Sequence, residues 1–228
     1  MGNFDIASLE TKLAKLYKPF YAPIAREILL AAKSQKLTLK ILDIGSAYGY
    51  LQFLLSNAKI SAETVLVEPS KACADSLGDL AAHLEKIKST LKITEVVQSK
   101  FQALEAPLGN FDIVSCASTL HEIVKSRSRG MTKEEAVTQF LKKSKQNMKK
   151  NGVLVVADHY FEKGMPAEYT RAFAKRQKKE TGHADHYSVF VHPEILALAA
   201  KNNGLKIRHM HFLQVVPGKK SYVAILGR

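Results

Sequence analysis

Apolar positions along the chain fall into short continuous runs separated by longer segments of helical period. In residues 5–33, Leu9, Leu13 and Leu16 recur on one helix face, Pro19 and Pro23 are expected to interrupt the pattern, and Ile24, Ile28 and Leu29 restart it. Leu39-Lys40-Ile41-Leu42-Asp43-Ile44 then reads as a strand, Gly45–Gly49 as a turn and Tyr50–Asn57 as a helix. The unit repeats. Thr64–Val67 is a second strand stopped by Glu68-Pro69, and Ser70 caps a helix whose stripe is Leu77, Leu80, Ala81, Leu84 and Ile87. Leu91–Val97 is a third strand, and Phe111–Cys116, entered through Gly109-Asn110, a fourth. Thr132 and Glu135 form a Thr-x-x-Glu capping box that opens a helix expected to run to about Lys150. Asn151-Gly152 is expected to end that helix and lead into the fifth strand, Val153–Ala157.

Strands that are apolar nearly throughout and alternate with helices predict a parallel sheet covered on both faces. The end of the chain departs from this pattern. Pro193 starts a helix through Ala200, closed by Asn203-Gly204. Two strand-like runs follow, Leu205–Val216 and Ser221–Leu226, separated only by Pro217–Lys220. So short a gap cannot hold a parallel crossover, so the pair is an antiparallel hairpin. The predicted fold is α/β and doubly wound: a mostly parallel seven-stranded sheet with a C-terminal antiparallel hairpin and helices on both faces. We read one domain over residues 1–228. It divides into an N-terminal helical part (1–38), a core (39–160), an insertion (161–192) and the terminal helix with its hairpin (193–228).

Composition narrows the class. Of 228 residues 46% are apolar, enough for a core, and two cysteines, Cys73 and Cys116, cannot form a disulfide framework or a zinc-type spacing. No apolar run approaches the ~18 residues that span a bilayer, and the first residues, with Asp5 and Glu10, carry no apolar signal core. The expectation is a cytoplasmic protein without a membrane partner. Lys+Arg 34 against Asp+Glu 21 gives +13, which favours contact with polyanions, but the lysines are scattered, with groups at 142–150 and 175–179.

In doubly wound sheets ligands sit beyond the carboxyl ends of the strands, where strand order reverses, so the first strand–turn–helix unit is the place to look. Gly45 and Gly49 let backbone approach a ligand closely. Nineteen positions beyond Gly49, Glu68 closes the second strand, where a carboxylate can accept from both hydroxyls of a ribose. Together they indicate a nucleoside-containing cofactor. Dinucleotides require Gly-x-Gly-x-x-Gly, whereas this turn reads Gly-Ser-Ala-Tyr-Gly, with Ala47 at the second glycine position; a phosphate-loop Gly-Lys-Ser/Thr is absent.

These residues resemble a known family. Asp43-Ile44-Gly45-Ser46-Ala47-Tyr48-Gly49 is similar to the first motif, Asp/Glu-x-Gly-x-Gly-x-Gly, of the class I (Rossmann-type) S-adenosylmethionine-dependent methyltransferases. Phe111-Asp112-Ile113-Val114 with Leu120-His121-Glu122 resembles their fourth-strand motif, and Asn151–Val156 their fifth strand. The ordered match covers about residues 39–160, and the hairpin matches the family's reversed seventh strand. The resemblance implies S-adenosyl-L-methionine as cofactor. Gly45, Ser46, Ala47 and Gly49 would line its methionine and ribose portions, Glu68 with Pro69 would meet the ribose, and Asp43 would orient the loop or reach the amino group through water. Ser115 and Cys116, at the fourth strand's tip, would border the same site. After the third strand the family often has an acid for the adenine amino group; here Lys100 stands there, and Lys cannot accept a hydrogen bond. Ser99, Gln102 or a backbone carbonyl would take that role, with Phe101 against the ring.

Methyl transfer from a sulfonium needs alignment, exclusion of water and sometimes removal of a proton. His121, just past the fourth strand, is the first candidate base, followed by His159 and Tyr160 past the fifth. Cys116 lacks the preceding proline of cytosine methylation, since Ser115 stands there, and Asp158-His159 has no matching acid for metal-dependent methylation. No metal is expected. Within the insertion, Tyr169, Arg171, Arg176, His183, Asp185, His186, Tyr187 and His192 read as a polar substrate wall, favoured over a metal reading of His183-Ala184-Asp185-His186, and Tyr17, Phe20 and Tyr21 as a lid over the cofactor or as packing on the sheet edge. The expected acceptor is an oxygen or nitrogen of a small molecule. The alternatives are RNA, drawn by the basic surface, and a cofactor-binding protein without turnover.

Overall fold

The computed structural model describes residues 18–33, 38–162, 189–216 and 219–228, together with positions 11, 168, 171–172, 174–175 and 178. Along the chain the elements are α1 (Lys18–Lys33), β1 (Leu39–Ile44), α2 (Tyr50–Asn57), β2 (Ala62–Val67), α3 (Lys71–Lys86), β3 (Leu91–Val97), β4 (Phe111–Ala117), α4 (Leu120–Lys125), α5 (Lys133–Gln146), β5 (Met148–Phe161), α6 (Pro193–Asn202), β6 (Lys206–Val216) and β7 (Lys219–Gly227). The strands form one sheet in the order β3-β2-β1-β4-β5-β7-β6. The first five pair in parallel, and β7 lies antiparallel between β5 and β6. This is the predicted mostly parallel sheet with its terminal hairpin.

Alternation along the central strands splits the core in two. Leu42, Ile44, Val114, Cys116, Leu154 and Val156 face α4, α5 and α6, whereas Leu39, Ile41, Ile113, Val155 and Ala157 face α1, α2 and α3. Every residue of β4 is buried, as a strand covered on both sides must be. Each fully buried Leu, Ile or Val contributes roughly 1.5–3 kcal/mol of transfer free energy, so the central strands hold the frame rigid under the loops at their ends.

Two boundaries depart from the sequence expectation. α1 runs through Pro23 without a break. The proline forfeits one backbone donor inside the helix, and the complete burial of Ile24 and Ile28 against the sheet offsets that loss. Residues 18–33 therefore pack on the face of the sheet, over the inner strands β4, β5 and β7, and not on its edge; Tyr17 lies outside the described residues. At α5 the capping box forms as expected, with Thr132 Oγ1 accepting from Glu135 N and Glu135 accepting from Thr132 N. The helix ends at Gln146, however, and not near Lys150. Buried Asn147 turns the chain: its Oδ1 accepts from Leu108 N (2.8 Å) and its Nδ2 donates to Lys143 O (2.9 Å). Met148 already pairs with Phe111, so β5 starts five residues before Val153. Asn151-Gly152 lies within that strand at an irregularity in the register. A Cβ on Gly152 would come within 2.9 Å of Phe111 O and 3.1 Å of Asp112 O.

Strand order reverses between β1 and β4. Their carboxyl ends open a crevice floored by the β1–α2 turn and walled by the segment from Ser118 into α4.

Candidate active site

The β1–α2 turn is built to keep the backbone bare. Gly45 has φ +73°, and a Cβ there would overlap Thr119, whose own Cβ would lie at 2.7 Å with Oγ1 and Cγ2 nearer still. Thr119 Oγ1 lies 3.2 Å from Gly45 O and 3.1 Å from Ala117 O, which links the tips of β1 and β4. Gly49, at φ +79°, packs on Leu80 and Leu77 of α3. Ala47 also adopts a left-handed conformation, φ 47°, at the position where the resembled motif has glycine.

Two carboxylates organise this turn. Glu68, buried at the end of β2, accepts from Ala47 N through Oε2 and from Ser70 N through Oε1, both at 2.9 Å. A carboxylate has about four acceptor positions, so two remain for a diol. Asp43 is fully buried beneath the turn. Ser115 Oγ donates to its Oδ1 (2.6 Å) and Gln52 Nε2 to its Oδ2 (2.9 Å). Burial pushes the Asp43 carboxyl up, and the hydrogen bonds from Ser115, Gln52 and Ser46 hold it back only in part. Ser46 Oγ donates to Asp43 O (3.0 Å). Ser115 thus serves the site through Asp43, and Cys116 is buried with its thiol pushed well up by burial and by the charges of Asp158 and Asp43.

Beside the turn lies a cavity of about 130 Å³ between the tips of β1, β2 and β3 and helix α4. Gly45, Pro69, Lys100, Phe101, Gln102 and Glu122 are among its lining residues. It is smaller than the ~300–1,000 Å³ of a whole ligand pocket, a size suited to one flat group. Phe101 is buried edge-on against Phe140. Ser99 Oγ turns away to Lys100 O. Gln102 Nε2 donates to Ile123 O and Ser126 Oγ, which leaves the carbonyl oxygen of that amide as its acceptor.

Across the crevice, β5 delivers Asp158, wholly buried, to the first turn of α4. Its Oδ2 accepts from His121 N and its Oδ1 from His159 N, each at 2.7 Å, and Oδ1 lies 2.7 Å from His121 Nδ1. Burial raises this carboxyl, but attraction and hydrogen bonding from His121, with help from His159, outweigh it and hold Asp158 below its ordinary value. His121 is buried and packs on Phe190, centroids 5.1 Å apart; its Nε2 is 3.7 Å from Glu122 Oε1. His159 points to the other face of the sheet, with Nδ1 at 2.6 Å from Ser221 Oγ and the Phe20 ring tilted against it at 4.9 Å. Tyr160 is not brought to His159: it lies on the α4–α6 side among Tyr222, Phe212 and His192, its hydroxyl pushed up by burial.

The structure therefore gathers Asp43, Gly45, Ser46, Ala47, Gly49 and Glu68 around one turn, sets Pro69, Lys100 and Phe101 around the adjoining cavity, and puts His121 beside Glu122, which lines that cavity. Gln52, Thr119 and the carboxylate behind His121 carry no motif signal; only an acid ending an otherwise apolar β5 hints at the last. The bare backbone at Gly45, the unfilled acceptor positions of Glu68 and the small cavity fit an adenosyl group. Among the described residues no cluster could hold a metal ion, and no helix is long and apolar enough to cross a membrane. Of the insertion's candidate residues, exposed Arg171 and His192, which caps α6 by accepting from Glu194 N, lie within them; Tyr169, Arg176, His183, Asp185, His186 and Tyr187 lie outside.

A doubly wound sheet with a bare turn and an acid at the second strand defines a nucleoside-cofactor-binding α/β protein. A family model described as a methyltransferase domain matches residues 17–210, and the chain belongs to that family, with the class I fold. Solved structures of similar fold include mycolic acid cyclopropane synthase CmaA1 complexed with SAH and CTAB (13% identity, TM-score 0.63, 89% of this chain and 83% of that one). Magnesium protoporphyrin IX methyltransferase from Synechocystis PCC 6803 with bound SAH is another (15%, 0.62, 91% and 81%). A SAM-dependent methyltransferase from Aquifex aeolicus covers nearly the whole of both chains (14%, 0.57, 98% and 99%). No curated protein matches the chain.

Proposed function

We propose that this methyltransferase uses S-adenosylmethionine to methylate an oxygen or nitrogen of a small molecule, in the cytoplasm, with His121 as the base. The observation that carries this reading is the adjacency of two parts. The cavity at Gly45 and Glu122, sized for one flat group, adjoins a buried imidazole through Glu122, which lines the cavity and lies 3.7 Å from His121 Nε2.

Bound S-adenosylmethionine supplies a methyl group on a leaving group that is already cationic and needs no acid. Glu68 holds the ribose hydroxyls with its two remaining acceptor positions, and Pro69 and Phe101 flank the base. Lys100 offers no acceptor, so the adenine amino group is met by the Gln102 carbonyl oxygen. His121 would take up the proton that the acceptor's O–H or N–H gives up on methylation.

The RNA alternative draws on the +13 charge. Three lysines of its densest group are already engaged: Lys143 with Gln102 O and Leu104 O, Lys145 with Asn203 O, Lys149 with Asp112. The small-molecule reading is therefore favoured.

The test is a screen of phenols, carboxylic acids and amines with methyl-labelled S-adenosylmethionine, followed by His121→Ala on the accepted compound. The expected result is a fall in kcat of about 10²-fold or more, with cofactor Kd held within about threefold. An unchanged kcat removes His121 as the base; no cofactor binding by the wild type removes both the enzyme and the non-catalytic reading.

A further inference from the structure

The bonds around Asp158 bear on which nitrogen of His121 reacts. We infer that Asp158 is a positioning residue, holding His121 with its ring proton on Nδ1 so that Nε2 is the atom that takes the acceptor's proton. This rests on the reading of His121 as the base.

Asp158 is ionised, and an ionised carboxylate can only accept. The 2.7 Å contact with His121 Nδ1 is therefore an N–H donation, and the neutral ring must carry its lone pair on Nε2. The same carboxylate also accepts from the backbone N of His121 and of His159. It is thus fixed by two backbone donors from two elements before the ring is considered, and Phe190 packs against the ring at a tilt. Once Nε2 is protonated, the imidazolium lies between Asp158 and, 3.7 Å from Nε2, Glu122. Glu122 is itself 3.3 Å from Lys125 Nζ and half-exposed, so its pull is the weaker of the two.

The other titratable groups facing this cluster among the described residues are His159 on β5, Cys116 on β4, Tyr222 on β7 and Lys133 on α5. Lys133 reaches it only through Phe190 O. Burial and the charge of Asp158 keep Cys116 and Tyr222 protonated. None of these competes with Asp158 for Nδ1.

The experiment is 15N NMR of the full chain labelled at its eight histidines, without ligand, with the His121 signals assigned by their loss in His121→Gln. Above the ring's titration, Nδ1 is expected to show the protonated shift and Nε2 the lone-pair shift. The reverse in the wild type overturns the inference with no variant needed. Asp158→Asn is expected to shift population to the Nε2–H tautomer and to lower the His121 midpoint by about one unit or more, since an opposite charge at this distance is removed. Glu122→Gln is expected to lower it less. An unmoved tautomer and midpoint in Asp158→Asn would overturn the positioning role, even with His121→Ala inactive; a correct tautomer beside a fully active His121→Ala would instead overturn the base.

Discussion

At the scale of single residues, two buried carboxylates respond to pH in opposite senses. Asp43 is raised by burial, so the folded state takes up its proton first and the cost of its charge is relieved as pH falls. Asp158 is lowered, so its contribution is complete above the ordinary aspartate value and is lost as pH falls through the lowered one. Asp43→Asn tests the first. Gln52 Oε1 is buried with no hydrogen-bond partner among the described residues, and turning the Gln52 amide would let it accept from the new side-chain amide. The variant is expected to be more stable than the parent at pH 8 in urea unfolding, with the gain shrinking towards pH 5. The turn gives a second contrast. Gly45→Ala combines a left-handed φ with overlap on Thr119 and should cost about 2–4 kcal/mol. Ala47→Gly relieves its own left-handed strain and should change stability by less than about 1 kcal/mol, measured the same way. The bare turn and Glu68 were legible in sequence because a short motif contains them. The bonds from Gln52 and Asp158 were not, since each partner comes from elsewhere in the chain.

At the scale of elements, local chemistry decided most boundaries and failed where a tertiary contact intervened. The Thr132–Glu135 box reads directly from four residues, as does Ser70 at the start of α3. The end of α5 does not, because Asn147 stops the helix with bonds to Leu108 and Lys143, the first of them distant in sequence. Pro23 was given too much weight, since burial of Ile24 and Ile28 against the sheet outweighs one missing donor. Thr132→Ala should lower Tm by about 2–4 °C, as loss of one cap does in a chain of this size. Glu135 is held below its ordinary value by the backbone and side chain of Thr132. The glutamate half of the box thus acts fully at neutral pH and fades as pH falls through that lowered value, so the Tm gap between parent and variant should narrow in acid melts.

At the scale of the whole molecule, charge and fold answer different questions. The fold class followed from strand–helix alternation and one short hairpin connection, and burial on both faces of β4 is its physical content. The net charge of +13 is a property of the surface. With three lysines of the densest group engaged internally, few phosphates can be neutralised at once, so affinity for a single-stranded RNA oligomer should be weak and fall by no more than ~10-fold between 50 and 200 mM salt. Cofactor affinity should change less than about twofold. A steeper fall in RNA affinity, with a slope set by several phosphates, would favour the polyanion as substrate.

Glu68 has one more implication. Because one carboxylate grips the amides of Ala47 and Ser70, the cradle for the nucleoside is already rigid in the ligand-free chain. Ordering of this turn then adds little to the entropic penalty of cofactor capture.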